Sequence, residues 1–268
     1  MRRILQLAIL LLILSGPLHA QVTAGTSYVN APGVATSGTV TMTTVDANSV
    51  VILSIVTDED GTSSGFSTPT ATGLTFVQIG SSIISSTFYR LGVWQAYTTS
   101  ALGSTVISSN TWTESVGYVM GATDFEGTAG TAGNNGSDAI GTSNTATGSD
   151  TSTITVTVNS TSHNNSKYFG AVGYNTGSGD ALGSAGSGYT GLVATTYSSD
   201  NAVESLTEIS TSPVSPPAGT AVTASVTTPG AGDAWGVFGI ELLVPSAASS
   251  GAGFGGRAGF GGKAGIGD

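Results

Sequence analysis

Ser49-Val50-Val51-Ile52-Leu53-Ser54-Ile55-Val56 is the stretch that decides the fold. It is almost continuously apolar and rich in β-branched residues, yet shorter than a buried helix needs, so it reads as a central strand. The segment before it, residues 38–45, has a different texture. Val40 and Met42 alternate there with Thr39, Thr41 and Thr43, giving one apolar and one hydroxylated face. Further runs of the same kind fall at residues 74–79, 88–97, 105–108, 116–125, 153–158, 168–174, 192–197, 221–226 and 235–243, and helix signals are nearly absent. About ten or eleven strands predict an all-β fold, a two-sheet antiparallel β-sandwich that buries its apolar faces against each other.

Between the runs lie clusters of Gly, Ser, Asn and Pro. Residues 127–148 and 175–188 are too long for tight turns and are expected to be surface loops. Residues 21–245 are read as one sandwich domain, since all-β domains of this length are common.

The N-terminus has the texture of a secretory signal. Arg2 and Arg3 precede an apolar run from Ile4 to Leu14, Ser15-Gly16-Pro17 breaks it, and Ala20 offers a small residue for cleavage before Gln21. Residues 1–20 are therefore expected to be removed, the mature chain to be secreted or held at the cell surface, and no stable membrane insertion to follow cleavage. The apolar run is well short of the roughly 20 residues that cross a bilayer. With no cysteine in the chain, stability must come from an ordinary hydrophobic core.

Composition narrows the chemistry. Beyond residue 20 the chain keeps one histidine, His163, and four basic residues, so a hydrolytic triad or a His/Cys zinc site has almost nothing to draw on. Within residues 21–245, Arg90 and Lys167 stand against fifteen acidic residues, which predicts no nucleic-acid partner. Catalysis is not expected, and neither is a cofactor other than Ca²⁺.

A resemblance rests on Ser49 to Val56, Gly73-Leu-Thr-Phe-Val-Gln-Ile-Gly80, Val93-Trp-Gln-Ala-Tyr97, Ala122-Thr-Asp-Phe-Glu-Gly127 and Ala234-Trp-Gly-Val-Phe-Gly-Ile-Glu-Leu242. These segments resemble the strand order of secreted jelly-roll-like β-sandwich modules of bacterial extracellular and phage structural proteins. The resemblance implies adhesion, carbohydrate contact or a scaffold role, and brings no catalytic residue. Such modules often occur in tandem, whereas this sequence presents no convincing second copy.

Carboxylates and aromatics supply the candidate sites. Asp124 and Glu126 stand two apart near a strand end and should share a face, as a glycosidase acid/base pair does; the alternative is a solvated strand end. Asp58, Glu59 and Asp60, followed by Gly61, offer hard oxygen ligands for Ca²⁺, although the alternate spacing of an EF-hand is missing. Among Trp94, Tyr97, Trp112, Tyr118, Tyr174, Tyr189 and Tyr197, most are expected in the core. Trp112, in a polar context, and Tyr189, after a glycine-rich loop, are the candidates for stacking on a sugar ring.

Residues 246–268 change character. Glycine recurs every third position from Gly253 to Gly265, and Phe254, Arg257, Phe260, Lys263 and Ile266 recur with the same spacing. In an extended helix of about three residues per turn these side chains form one stripe, alternately apolar and cationic. The tail is read as flexible chain or as an assembly element that meets the acidic sandwich of a neighbour. The expected function is a secreted, non-enzymatic structural or adhesion protein assembling through its sandwich and tail. A carbohydrate-binding module and a phage or viral surface protein stand as alternatives, with self-association or a cell-surface glycan as the partner.

Overall fold

The computed structural model describes residues 21–57, 66–81, 83–86, 89–110, 116–149, 151–159, 166–175, 183–198, 203–211, 221–232 and 234–245. The expected signal at 1–20, the acidic run at Asp58, Glu59 and Asp60, Trp112, and the tail with Phe254, Arg257, Phe260, Lys263 and Ile266 lie outside the described residues.

The first half of the described chain contains β1 (Thr23–Ala35), β2 (Ser37–Met42), β3 (Ser49–Thr57), β4 (Thr70–Ala71), β5 (Leu74–Thr75), β6 (Val77–Gln78), β7 (Ile83–Ser86), β8 (Tyr89–Thr98), β9 (Thr105–Asn110) and β10 (Val116–Glu126). The second contains β11 (Ile140–Gly148), β12 (Thr151–Asn159), β13 (Lys167–Asn175), β14 (Ser184–Ala185), β15 (Tyr189–Ser198), β16 (Val203–Thr211), β17 (Ala221–Gly232) and β18 (Ala234–Leu242). Two single-turn 3-10 segments, Ala132–Asn134 and Ser137–Ala139, lie between the halves.

Every pairing among these strands is antiparallel, and the all-β expectation holds. The expected pair of sheets is replaced by four. A central sheet runs β1-β10-β3-β8-β6, with β7 also on β8, and an outer sheet runs β2-β9-β4-β5. The second half repeats the plan, with a central sheet β11-β18-β13-β16-β15 and an outer sheet β12-β17-β14.

The eight strands of the second half have counterparts in the first, which adds two short ones. In each half the first strand pairs with the last, the last with the third, and the second with the last but one. A second copy of the strand plan is therefore present, contrary to the sequence expectation. The two copies share few side chains, because a strand plan needs only alternation and turns, which many sequences supply.

Three apolar clusters order the sheets into layers. Val51, Leu53 and Ile55 of β3 pack with Val40, Met42 and Ile107 between the first central sheet and its outer sheet. Val50, Ile52 and Val56, on the opposite face of β3, pack with Phe169, Ala171, Leu206, Phe238 and Ile240 between the two central sheets. Val172, Tyr174, Trp235 and Val237 then pack with Ile154 and Val156 under the second outer sheet. Strands β3 and β18 are thus covered on both faces, and all nine residues of each are buried. That is why the stretch from Ser49 reads as continuously apolar, whereas β2, open on one side, alternates strictly.

The long segments expected to be loops are partly ordered structure. Within 127–148, β11 pairs along β18, and Ala139 is fully buried in the shared core. Backbone bonds from Ala129 N–H to the Leu243 carbonyl and from Leu243 N–H to the Ala139 carbonyl, each 2.8 Å, fasten this connection to the end of β18. Strands β1 and β11 escape notice in the sequence because each is the edge of its sheet, where polar residues, glycine and Pro32 are tolerated.

Candidate functional site

Asp124 and Glu126 end the strand that closes the first half. The register of β1 on β10 slips between Ala24 and Ser27, so Gly25 and Thr26 bulge opposite Asp124. The bulge makes room for the carboxylate. A Cβ on Gly25 would lie 2.5 Å from Asp124 Oδ1, so glycine is required there by close approach. Asp124 is 1% exposed, and its Oδ2 accepts the backbone N–H of Asp46 at 3.1 Å.

Asp46 stands 78 residues away in sequence and is delivered by the turn between β2 and β3. Ser49 Oγ donates to the Asp46 carbonyl at 2.7 Å, and Asn48 takes a left-handed φ of 57°, so the turn is held over the end of β10. The neighbouring Asp46 side chain raises Glu126 from its ordinary carboxylate value, with slight burial and the charges of Asp46 and Asp124 adding to the effect. Burial likewise raises Asp124, against the opposing pull of backbone amides led by that of Asp46.

Asp124 and Glu126 stand two apart at the end of β10, the first enclosed and the second exposed. The pattern differs from that of a glycosidase. The Asp124 carboxyl is enclosed, with the backbone of the Asp46 turn laid over it in place of a gap for a sugar ring. The third carboxylate was invisible to sequence reasoning, because only the antiparallel pairing of β3 with β10 brings its turn to the site. Among the described residues no group of three or more His, Cys, Asp or Glu side chains is arranged to hold a metal ion.

The second half carries a counterpart. The register of β11 on β18 slips between Ile140 and Ser143, and Gly141 and Thr142 bulge opposite Glu241. A Cβ on Gly141 would meet Glu241 Oε2 at 2.6 Å. Glu241 is fully buried, and its Oε2 accepts the Thr142 N–H at 3.3 Å. The tripeptide Gly-Thr-Ser stands at both bulges, at 25–27 and 141–143. The same tripeptide also stands at 61–63, so it is not peculiar to the bulges.

The aromatic candidates separate clearly. Trp94, Tyr118 and Tyr174 are buried in the core, whereas Trp112 and the Tyr197 side chain lie outside the description. Tyr189 is half-buried and packs against the cluster of Ile154, Val156 and Trp235. Burial, with the neighbouring Tyr168 adding, pushes its hydroxyl up to about 12. Its ring therefore serves packing in the second half, where an open cleft of about 360 Å³ is lined by Gly183, Ser184, Ala185, Gly191, Leu192, Val193 and Ala194.

The two outermost faces are hydroxylated. On the first, Thr39 lies opposite Ser108, Ser108 opposite Thr70, and Thr70 opposite Thr75, a row that crosses all four strands of that sheet. On the second, Thr153, Thr155 and Thr157 are exposed and stand in register with Thr227, Ser225 and Thr223, and Thr227 with Ser184. Neighbouring rungs in such rows are about 4.8 Å apart. Comparison of the chain with protein-family models, curated proteins and solved structures finds no match, so these local geometries carry the functional reading.

Proposed function

We propose that this chain is a secreted, non-enzymatic structural or adhesion protein of the extracellular surface. The observation that carries the reading is the doubled strand plan with its outer faces at opposite ends of the layer stack. The first outer face presents a row of Ser and Thr, and the second presents the exposed Thr153, Thr155 and Thr157. A body with two similar flat faces pointing away from each other suits bridging or stacking better than enclosing a substrate. Flat hydroxyl rows make many weak, geometrically regular hydrogen bonds, which suits repeated contact with an ordered surface or with further copies. Residues 246–268, with Arg257 and Lys263 against an otherwise acidic chain, add a cationic element that favours self-association.

Light scattering and electron microscopy of residues 21–268 beside residues 21–245 test this reading. Ordered assemblies from the longer chain alone assign polymerisation to the tail, and assemblies from both assign it to the sandwich faces. Monomers in every condition, with no adhesion to any surface tried, would refute it. A carbohydrate-binding module is the alternative reading, and a glycan array probed with residues 21–245 separates the two.

A further inference from the structure

We infer that the two outer faces bind the surface of ice, each through a fixed array of threonine hydroxyls and methyls. The inference rests on the reading above that these faces meet an ordered surface, and it names that surface.

Charge sets the outer sheets apart. None of their seven strands, β2, β4, β5, β9, β12, β14 and β17, contains an Asp, Glu, Lys, Arg or His. The charged residues of the strands, from Arg90 to Glu241, all belong to the central sheets. In a chain of formal net charge -10, this division selects a neutral partner at the outer faces. A neutral polysaccharide is held by stacking its rings on aromatic side chains, and the same seven strands contain no Phe, Tyr or Trp. A second copy of the chain would need an apolar centre to its interface. The large apolar side chains of β2 and β12 point inward instead, with Val40 and Ile154 1% and 0% exposed.

Frozen water fits what remains. Thr39 and Thr41 are exposed on either side of buried Val40, and Thr153, Thr155 and Thr157 alternate with buried Ile154 and Val156. The buried partners fix the backbone, so the threonines are held about 6.8 Å apart along a strand and about 4.8 Å from the next strand. Oxygen atoms on the prism faces of ice repeat in two directions at distances of this size. Each threonine offers a hydroxyl that bonds lattice water and a methyl around which water is already ordered. Exposed Val106, in register with Thr41, adds methyls of the same kind. With one array at each end of the layer stack, a single molecule can hold two crystals together.

Slow growth of ice on a cooled probe in a dilute solution of the full chain, with protein then measured in ice and in liquid, tests the inference. Wild type is expected to be enriched in the ice at least about tenfold over a non-binding protein of similar size, because many weak contacts act together. Thr39→Lys combined with Thr155→Lys puts a charge into each array and should abolish the enrichment while the circular dichroism stays that of wild type. Should that protein fail to fold, Thr39→Ala with Thr155→Ala removes hydroxyl and methyl without adding charge and is read in the same way. Rejection of wild type by the ice would overturn the inference, as would a folded double variant retained as well as wild type. If wild type is rejected by ice yet forms ordered assemblies or adheres to another surface, this inference alone falls. A chain that also remains a non-adhering monomer defeats the structural reading with it.

Discussion

Asp124 and Glu241 occupy equivalent places in the two halves, each enclosed over a bulge that begins with glycine, yet only Asp124 has two further carboxyls beside it. In the second half the buried carboxylate is a fastening between edge strand and last strand, satisfied by the Thr142 amide. In the first the same fastening has become the floor of an acid cluster. The difference teaches that the bulge and its carboxylate recur with the strand plan, whereas Asp46 and Glu126 are particular to the first half.

The largest expected effect concerns the core that the halves share. Phe125 and Phe169 meet edge to face across the central sheets, with centroids 5.8 Å apart. Phe169→Ala should cost about 3–5 kcal/mol and lower a single cooperative unfolding transition. Two separated transitions in calorimetry would show that the halves fold independently and break the comparison at its root.

Next come the bulge glycines. Gly25→Ala drives a Cβ against Asp124, and Gly141→Ala drives one against Glu241. Each is expected to cost about 1–3 kcal/mol by chemical denaturation. The Gly141 variant should be the milder, because the longer glutamate has one more torsion with which to retreat. Equal or reversed costs would mean that the two carboxylates are not equivalent fastenings.

The pH dependence of stability sharpens the contrast further. Asp124 and Glu126 are both raised in the folded protein, so the folded state holds protons more tightly than the unfolded chain. Their stabilisation is full below the unfolded carboxylate values and is lost as pH rises through the raised ones. Denaturation midpoints should therefore drop from mildly acidic to neutral pH, and Glu126→Gln should flatten that slope. A slope unchanged in this variant would place the dependence elsewhere.

The smallest effect on folding is expected at the outer faces. Thr39→Lys and Thr155→Lys change exposed rungs of the two hydroxyl rows and should shift stability by less than about 0.5 kcal/mol. Assembly or surface adhesion, measured by scattering or retention, should fall in both if the two ends act alike, and in one if they do not.

Much of the strand plan was legible. Residues 88–97, 116–125, 168–174 and 235–243 fall within a residue or so of β8, β10, β13 and β18, because strands covered by other sheets are written in β-branched and aromatic residues. The edge strands β1 and β11 were not legible. Their hydrogen bonds come from a partner far along the chain, and their half-exposed faces accept the same Ser, Thr, Asn and Gly that mark loops. At the acid site the sequence offered Asp124 and Glu126 as a pair, and the register of β3 on β10 was needed to add Asp46.

By itself the sequence determined an all-β chain with strands of alternating and continuous apolar texture, acidic and without cysteine, since composition and a two-residue period are local properties. The tertiary structure alone decided that these strands form four layers, that the second half repeats the first, and that the Asp46 turn closes over buried Asp124. Pairing between distant strands sets all three, and its energy is spread over backbone hydrogen bonds and buried faces that no single stretch of sequence records.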